Sequence, residues 1–392
     1  MSDADRLREH FERGALLRPG AGWPNTVDLA RAITRAAGGH TTHPATEGEA
    51  AIAEAIGDPA HLVFVVLDGL GMSQLDLLPE DSFTRRHVRR ELRAVFPSTT
   101  ASSLTSLATG EWPARHAVTS WWTHIPQIEA PATILTFITR FGQTPLPRLG
   151  VRPEHAYPLT PLADSIERSM VMLSPNHLVR TPYTRYISAG RVRRGYRDVP
   201  EAVDRVLRRV REATGPSYTH VYIPDVDRAA HRHGSRHQSV QSALEQADAG
   251  LRRLSEGLPG DAALVATADH GHLDMAAGGP LVLKEDEEAA ALLRCKPAGD
   301  ARLMFFHVRD GEGQSFERAF RERFGSRLLL LATDDVAHLE LLGPGELSTE
   351  TRRRIGDYMA LATDATVMSY LPSGDDQPEL QNVVSHHSGL TP

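Results

Sequence analysis

The run His61-Leu-Val-Phe-Val-Val-Leu-Asp-Gly-Leu-Gly71 decides the fold class of this 392-residue chain. Its apolar core reads as a β-strand that stops at Asp68, and Gly69 and Gly71 permit a tight strand-to-helix turn with close backbone approach. The same arrangement returns downstream. Tyr218-Thr-His-Val-Tyr-Ile-Pro224 leads to Asp227 and His231, and Ala262-Ala-Leu-Val-Ala-Thr-Ala268 leads to Asp269-His270. A further strand is expected at Ser169–Leu173, with helical patterns at Val199–Thr214 and Ser239–Glu256. Strands alternating with helices of this length predict an α/β fold whose mostly parallel central sheet is covered on both faces. In such sheets, ligands gather beyond the carboxyl ends of the strands.

Two other stretches frame that core. A strand at Leu92–Phe96 is expected to lead into Ser98-Thr99-Thr100, which opens a helix ending at Gly110, a favoured residue just past a helix end. From Gly278 to about Gly345 the pattern changes. Arg302–Val308 reads as a strand, Gly311–Gly325 as a linker plus helix, and Leu328–Leu331 and Val336–Leu342 as short extended pieces. This segment supplies no candidate ligand, and 278–345 is expected to be a small α+β insertion within one catalytic domain spanning 1–392.

Composition narrows the function classes. Hydrophobic residues make up 41% and charged residues 24% of the chain, the balance of an ordinary globular protein. A net charge of -7 gives no electrostatic footprint for nucleic acid or a membrane surface. The single cysteine, Cys295, precludes an intrachain disulfide and a cysteine-cluster zinc site. The first residues are charged, with no apolar signal core, and no run approaches the ~20 apolar residues of a membrane span. The expected location is cytoplasmic.

The chemistry-bearing residues each have a bland alternative. Thr100 is the candidate nucleophile, a hydroxyl at a helix start where free backbone N–H groups and the dipole favour an anion. Ser98, Thr99 and Thr100 could instead simply cap the helix. Asp227 and His231 stand four residues apart, so on a helix they share one face and can reach one metal; otherwise they belong to a solvated His- and Arg-rich face. Asp269-His270 follows a strongly apolar strand, where a buried charge must be paired or bound to metal. Asp68 repeats that logic, though a lone strand-end Asp is often a helix cap. At the tail, His386 and His387 both compete for one ligand role. Carboxylates, imidazoles and a helix-start hydroxyl on one rim suit metal-dependent phosphoryl transfer.

Taken in order, Asp68-Gly-x-Gly, Pro97-Ser-Thr-Thr before Thr109-Gly110, Asp227-x-x-x-His231, Ala268-Asp-His-Gly271 and a terminal histidine resemble the alkaline phosphatase superfamily. Within it, the likeness is to the type I phosphodiesterase and nucleotide pyrophosphatase family. The resemblance implies a three-layer sandwich and two divalent metal ions, zinc first and manganese tolerated. It implies that Asp68, Thr100, Asp269 and His270 hold one metal, and Asp227, His231 and the terminal histidine the other. His387 fits that role better than His386, because the family histidine directly precedes a small-Gly pair, here Ser388-Gly389. The implied mechanism is in-line attack by Thr100, giving a phospho-threonine that water hydrolyses.

One departure bears on specificity. Family members usually carry Asn three residues after the nucleophile, hydrogen-bonded to a phosphoryl oxygen, and this chain has Ser103. Trp121 and Trp122 could stack on a nucleobase or aryl group, or equally form core. The Arg185–Arg197 stretch reads as a solvated surface run. The expected activity is a metal-dependent phosphodiesterase or nucleotide pyrophosphatase acting on a small-molecule phosphodiester or nucleotide. A phosphomonoesterase or phosphonate hydrolase using the same metals is the enzymatic alternative, and a catalytically silent binding protein the other.

Overall fold

The computed structural model describes residues 1–392 apart from 21, 378 and 381. Its centre is a five-stranded sheet. In spatial order the strands are Val192–Tyr196, Ser169–Pro175, Ser217–Ile223, His61–Leu67 and Ala262–Thr267, and every pairing is parallel. The strand alternation sorts side chains to two faces. Leu62, Phe64 and Val66 point into one core with residues of helices Thr26–Ala36 and Thr100–Thr109. Val63, Val65 and Leu67 point into the other with helices Val199–Arg211 and Gln238–Gly257. An unbroken apolar strand is the signature of a sheet covered on both sides, so the α/β expectation holds in detail.

The other expectations fare unevenly. Leu92–Phe96 is no strand; Arg93 makes a single parallel bridge to Asn25. Strands of the 278–345 segment share a sheet with strands from outside it. A second, antiparallel sheet of seven strands runs in the order Leu328–Ala332, Tyr358–Ala362, Leu303–Phe306, Ala298–Asp300, Trp122–Ile125, Ala130–Thr133 and Ile138–Thr139. It borrows strands from both ends of the interval, and the reason is local. Ala298–Asp300 is only three residues long and has a free edge, which Trp122 fills through Gly299. Phe306, Phe316, Phe320 and Phe324 pack beneath this sheet. Val336–Leu342 is not extended either: Thr333–His338 is a helix, begun by the acidic Asp334 and Asp335 at its N-terminal turn.

Two short pairings tie the tail into the body. Leu281–Lys284 runs parallel to Met368–Leu371, and Ser385–His386 pairs antiparallel with Leu273–Asp274. Among the described residues, no helix is long and apolar enough to cross a membrane.

Candidate active site

Three neighbouring strands deliver acids to one rim. Asp68 follows the 61–67 strand, Asp269 and His270 follow 262–267, and the 217–223 strand runs into helix Asp225–His233, which carries Asp227 and His231. The Asp227 amide donates to the Asp68 carbonyl at 3.1 Å, drawing the two turns together. Only glycine fits between them. Gly69 has φ +76°, and a Cβ there would stand 2.8 Å from Asp227 Cα; one on Gly71 would stand 2.5 Å from Gly271 Cα.

Thr100 begins helix Thr100–Thr109 and is 4% exposed. The bland reading of this segment as a cap does not describe it. Thr99 occupies the cap position without a side-chain capping bond, and Ser98 Oγ donates to the Gly389 carbonyl instead. Thr100 Oγ1 lies 3.1 Å from His270 Nε2. That same nitrogen is 3.2 Å from Asp68 Oδ1 and 3.6 Å from Asp269 Oδ2. Asp269 Oδ1 is occupied by the amides of Gly69 and His270, which leaves Oδ2 facing inward.

Next to this group lies a second. Asp227 Oδ1 is 3.2 Å from His231 Nε2 and 4.0 Å from His387 Nε2. His231 Nδ1 donates to the Ser385 carbonyl at 2.7 Å, which fixes the ring with Nε2 toward Asp227. The donor atoms of Asp68, Asp269 and His270 fall within 4.8 Å of one another, as do those of Asp227, His231 and His387. The rings of His270 and His387 are 4.1 Å apart, so the two groups share a wall.

The chain terminus is held firmly enough to take part. Ser388, at φ +74°, donates its amide to Ser98, two residues before Thr100. The Leu17 amide donates to the Leu390 carbonyl. His387 is turned into the site by this bend. His386 sits on the short strand with its ring 6.0 Å from that of His231 and belongs to neither three-residue group.

The electrostatics are those of a site short of positive charge. Burial, followed by the charges of Asp227 and Asp269, pushes the Asp68 carboxyl well above its ordinary range. Burial and Asp227 raise Asp269 to about 7. Burial also opposes the charge on Asp227, but hydrogen bonds from His231 and His272 outweigh it and hold that carboxyl well below normal. His231 rises to about 9 despite its burial, through its bond to Asp227. Burial, with His270 and His231 close by, keeps His387 neutral. Among the described residues, no Lys or Arg forms an ion pair with Asp68, Asp227 or Asp269. Asp68 Oδ1, Asp269 Oδ2 and His387 Nδ1 are buried without a hydrogen-bond partner among the described residues. Buried acids in that state call for a cation, and an all oxygen-and-nitrogen donor set suits zinc and tolerates manganese.

Three contributors escaped the sequence reading. His272 Nε2 lies 3.0 Å from Asp227 Oδ1 and is buried. Its only signal is its position two residues after His270, which on extended chain puts both rings on one side. Asp300, from the segment thought to supply nothing, is buried with Oδ2 3.8 Å from His387 Nδ1. The Tyr222 hydroxyl donates to Asp68 Oδ2.

The softer candidates separate. Trp121 lines the cavity above Thr100. Trp122 is a strand residue with the Arg140 guanidinium stacked 3.6 Å over its ring, which makes it core. Ser103 is fully buried in the helix, its hydroxyl without a partner among the described residues, and it lies outside the cavity wall. In the basic stretch, Arg191 binds backbone carbonyls, Arg193 binds Ser188 and Arg197 binds Glu201, all structural roles.

With this geometry in hand, the family is clear. The sequence profile of the type I phosphodiesterase / nucleotide pyrophosphatase family matches residues 62–388, and the chain belongs to that family. It is thus a hydrolase of the class that cleaves phosphodiester and pyrophosphate bonds, in a metal-dependent family. No curated protein sequence matches the chain. Several solved structures share the fold. Murine ectonucleotide pyrophosphatase / phosphodiesterase 5, as an inactive variant in complex with AMP, is 14% identical, with 84% of this chain and 83% of that one covered and a TM-score of 0.58. The human form is 15% identical, with 84% and 83% covered and a TM-score of 0.59. Phosphonoacetate hydrolase from Sinorhizobium meliloti, in complex with phosphonoformate, is 18% identical, with 85% and 88% covered and a TM-score of 0.60.

Proposed function

We propose that this chain hydrolyses a phosphodiester or phosphoanhydride with Thr100 as nucleophile and two divalent cations, zinc or manganese, as cofactors. Asp68, Thr100, Asp269 and His270 would hold one ion, and Asp227, His231 and His387 the other. The observation that carries this reading is the setting of Thr100 Oγ1: at a helix start, 3.1 Å from His270 Nε2, beside buried carboxylates that have histidines but no Lys or Arg as partners among the described residues. When bound, the cations would lower the pKa of the hydroxyl and neutralise charge on the phosphoryl oxygens.

The protein's own groups account for the rest. The first turn of the 100–109 helix presents its free backbone N–H groups to a phosphoryl oxygen. Thr100 gives up its hydroxyl proton to solvent and its Oγ1 bonds to phosphorus as the opposite substituent leaves with the bonding electron pair and takes up a proton, giving a phospho-threonine that still carries the substrate's other substituent. Attack by water on that phosphorus then breaks the bond to Oγ1 and restores the hydroxyl. Tyr222 and the amides of Gly69 and His270 hold Asp68 and Asp269 in place throughout. His272 and the Ser385 carbonyl do the same for Asp227 and His231. A diester with a sizeable second substituent is favoured over a compact monoester or phosphonate, because the space beside Thr100 is a large cavity.

The test is Thr100→Ala assayed on bis-p-nitrophenyl phosphate, p-nitrophenyl phosphate and phosphonoacetate with added zinc or manganese. The wild type is expected to prefer the diester. The variant is expected to lose turnover while largely keeping its metal and its fold. Near-native activity in the variant would remove Thr100 from the role.

A further inference from the structure

A cavity of about 530 Å³ opens at Thr100, Asp68 and Asp227 and runs inward between the sheet and the helices over its first face. Protein interiors pack almost as densely as organic crystals, with few voids larger than a water molecule. A space this large, continuous with the reactive hydroxyl, is therefore a built feature, and it falls in the ordinary range of ligand pockets, roughly 300–1,000 Å³.

Its depth and lining are legible from the elements that form it. On the helix side it follows Thr100, Leu104, Leu107 and Ala108, a rise of about 12 Å at helical spacing. On the sheet side it follows Tyr222, His220 and Tyr218, about 13 Å of strand. The far walls are aliphatic, formed by Ile33, Ile166 and Met170 among others. Several polar groups along the way are already engaged, while the Ser174 hydroxyl is buried without a partner among the described residues. Tyr222 is bonded to Asp68, Tyr183 to Thr105 and Thr34 to the Ala30 carbonyl. Burial lowers His220 to about 4, so its ring is uncharged, and its edge contact with Phe64 is aromatic packing. The arginines of the lining, Arg228 and Arg232, follow Asp227 and flank His231 on the 225–233 helix, at the mouth.

That distribution, charge at the mouth and hydrocarbon within, selects its occupant. A nucleobase would bring a polar edge with several donors and acceptors into largely apolar walls, whose few open polar groups, the Ser174 hydroxyl among them, cannot pair with all of it. A hydrocarbon chain needs no such partners. We propose that one substituent on the phosphorus of the substrate is an aliphatic chain, which this cavity receives while the phosphoryl group sits at Thr100. A depth near 12 Å takes a zigzag chain of on the order of ten carbons, at carbon–carbon bonds of about 1.5 Å. The inference rests on the phosphoryl-transfer reading above and adds the class of substrate to it.

The test is a series of n-alkyl phosphates from two to sixteen carbons, kept below micelle-forming concentrations, as competitive inhibitors of bis-p-nitrophenyl phosphate hydrolysis by the zinc- or manganese-loaded protein. Inhibition is expected to tighten about threefold to fourfold per added methylene, the equivalent of ~0.8 kcal/mol for a buried CH₂, and to level off near ten carbons. Ala108→Phe and Ile166→Phe narrow the inner end and should move that break to shorter chains. A break that stays in place in variants that fold would overturn the assignment. So would a flat series in the wild type, or one that tightens without a break. If bis-p-nitrophenyl phosphate is not turned over, the catalytic reading fails by itself. Direct titration of the alkyl phosphates into the same protein then decides the cavity separately.

Discussion

Gly69→Ala is the sharpest test of how the site is held together, because its cost has two parts that separate. The first is conformational: φ is +76°, and an L-residue in the left-handed region costs about 1–2 kcal/mol. The second is steric. The new methyl would stand 2.8 Å from Asp227 Cα, 2.9 Å from Asp227 Cβ and 2.9 Å from His272 Nε2. Carbon atoms rest at about 3.5–4.0 Å, so the two turns must part by roughly 0.7 Å. Overpacking of that kind typically costs about 1–3 kcal/mol. The sum, about 2–5 kcal/mol, is a large share of an ordinary domain's stability of about 5–15 kcal/mol.

The displacement also falls on the wrong atoms for function, since it drives Asp227 away from Asp68, and metal–ligand distances tolerate only about 0.2 Å. Gly14→Ala is the control: φ there is +68°, and a Cβ would meet nothing within 4 Å. The assay is urea unfolding of both metal-free variants, followed by zinc titration against a competing chromophoric chelator. Gly14→Ala should show the conformational cost alone with wild-type zinc affinity. Gly69→Ala should lose more stability and at least tenfold in affinity. If the two variants behave alike, the close approach of the 68–71 and 225–227 turns does not govern the site.

Three further outcomes are expected. His387→Ala should weaken zinc binding beyond the ~10–100-fold typical of losing an outer partner and depress turnover by orders of magnitude, with His386→Ala mild; equally mild effects in a zinc-limited assay would place both histidines outside the site. His272→Ala removes one of the two imidazoles bonded to Asp227, and should lower zinc affinity less than His231→Ala does; the reverse order would make His272 the ligand and His231 the support. The pH dependence follows from His231, whose pKa is about 9 folded against 6.5 for the free side chain. A raised value stabilises the metal-free fold below pH 6.5, and that contribution disappears as pH rises through 9. Unfolding midpoints in chelator should therefore fall between pH 6.5 and 9.5. Zinc affinity should rise over the same window, because the imidazole must shed its proton to bind, and an affinity flat in pH would contradict the arrangement.

The elements that were legible in the sequence are those whose burial is decided locally. His61–Leu67 and Ser217–Ile223 are strands because apolar runs end at acids and turns, and the structure reproduces both within a residue or two. The gathering of Asp68, Asp227 and Asp269 follows from that, since parallel strands all end on one rim. What stayed hidden depends on partners distant in sequence. The Leu92–Phe96 segment has strand composition, yet Asn25 offers it only one bridge. Ala298–Asp300 has almost no strand signal and is made a strand by Trp122 and Leu303 on either side. Asp300 reaches His387 through that accident of pairing, which no spacing rule could supply.

His272 shows the same limit from the other direction. It lay in plain view in the Asp269-His-Gly-His272 stretch, but two imidazoles beside one acid do not say which will face a cation. His272 groups with Asp227 and His270, and the tail adds His387 to Asp227 and His231. Ser388 turns back to Ser98 and carries His387 between His231 and His270, while His272 Nε2 stays against Asp227 Oδ1, the oxygen that also faces His231. The proposed ligand set therefore depends on a bend some 115 residues downstream, and a change at Ser388 or Ser98 should alter the site as surely as a change in a proposed ligand.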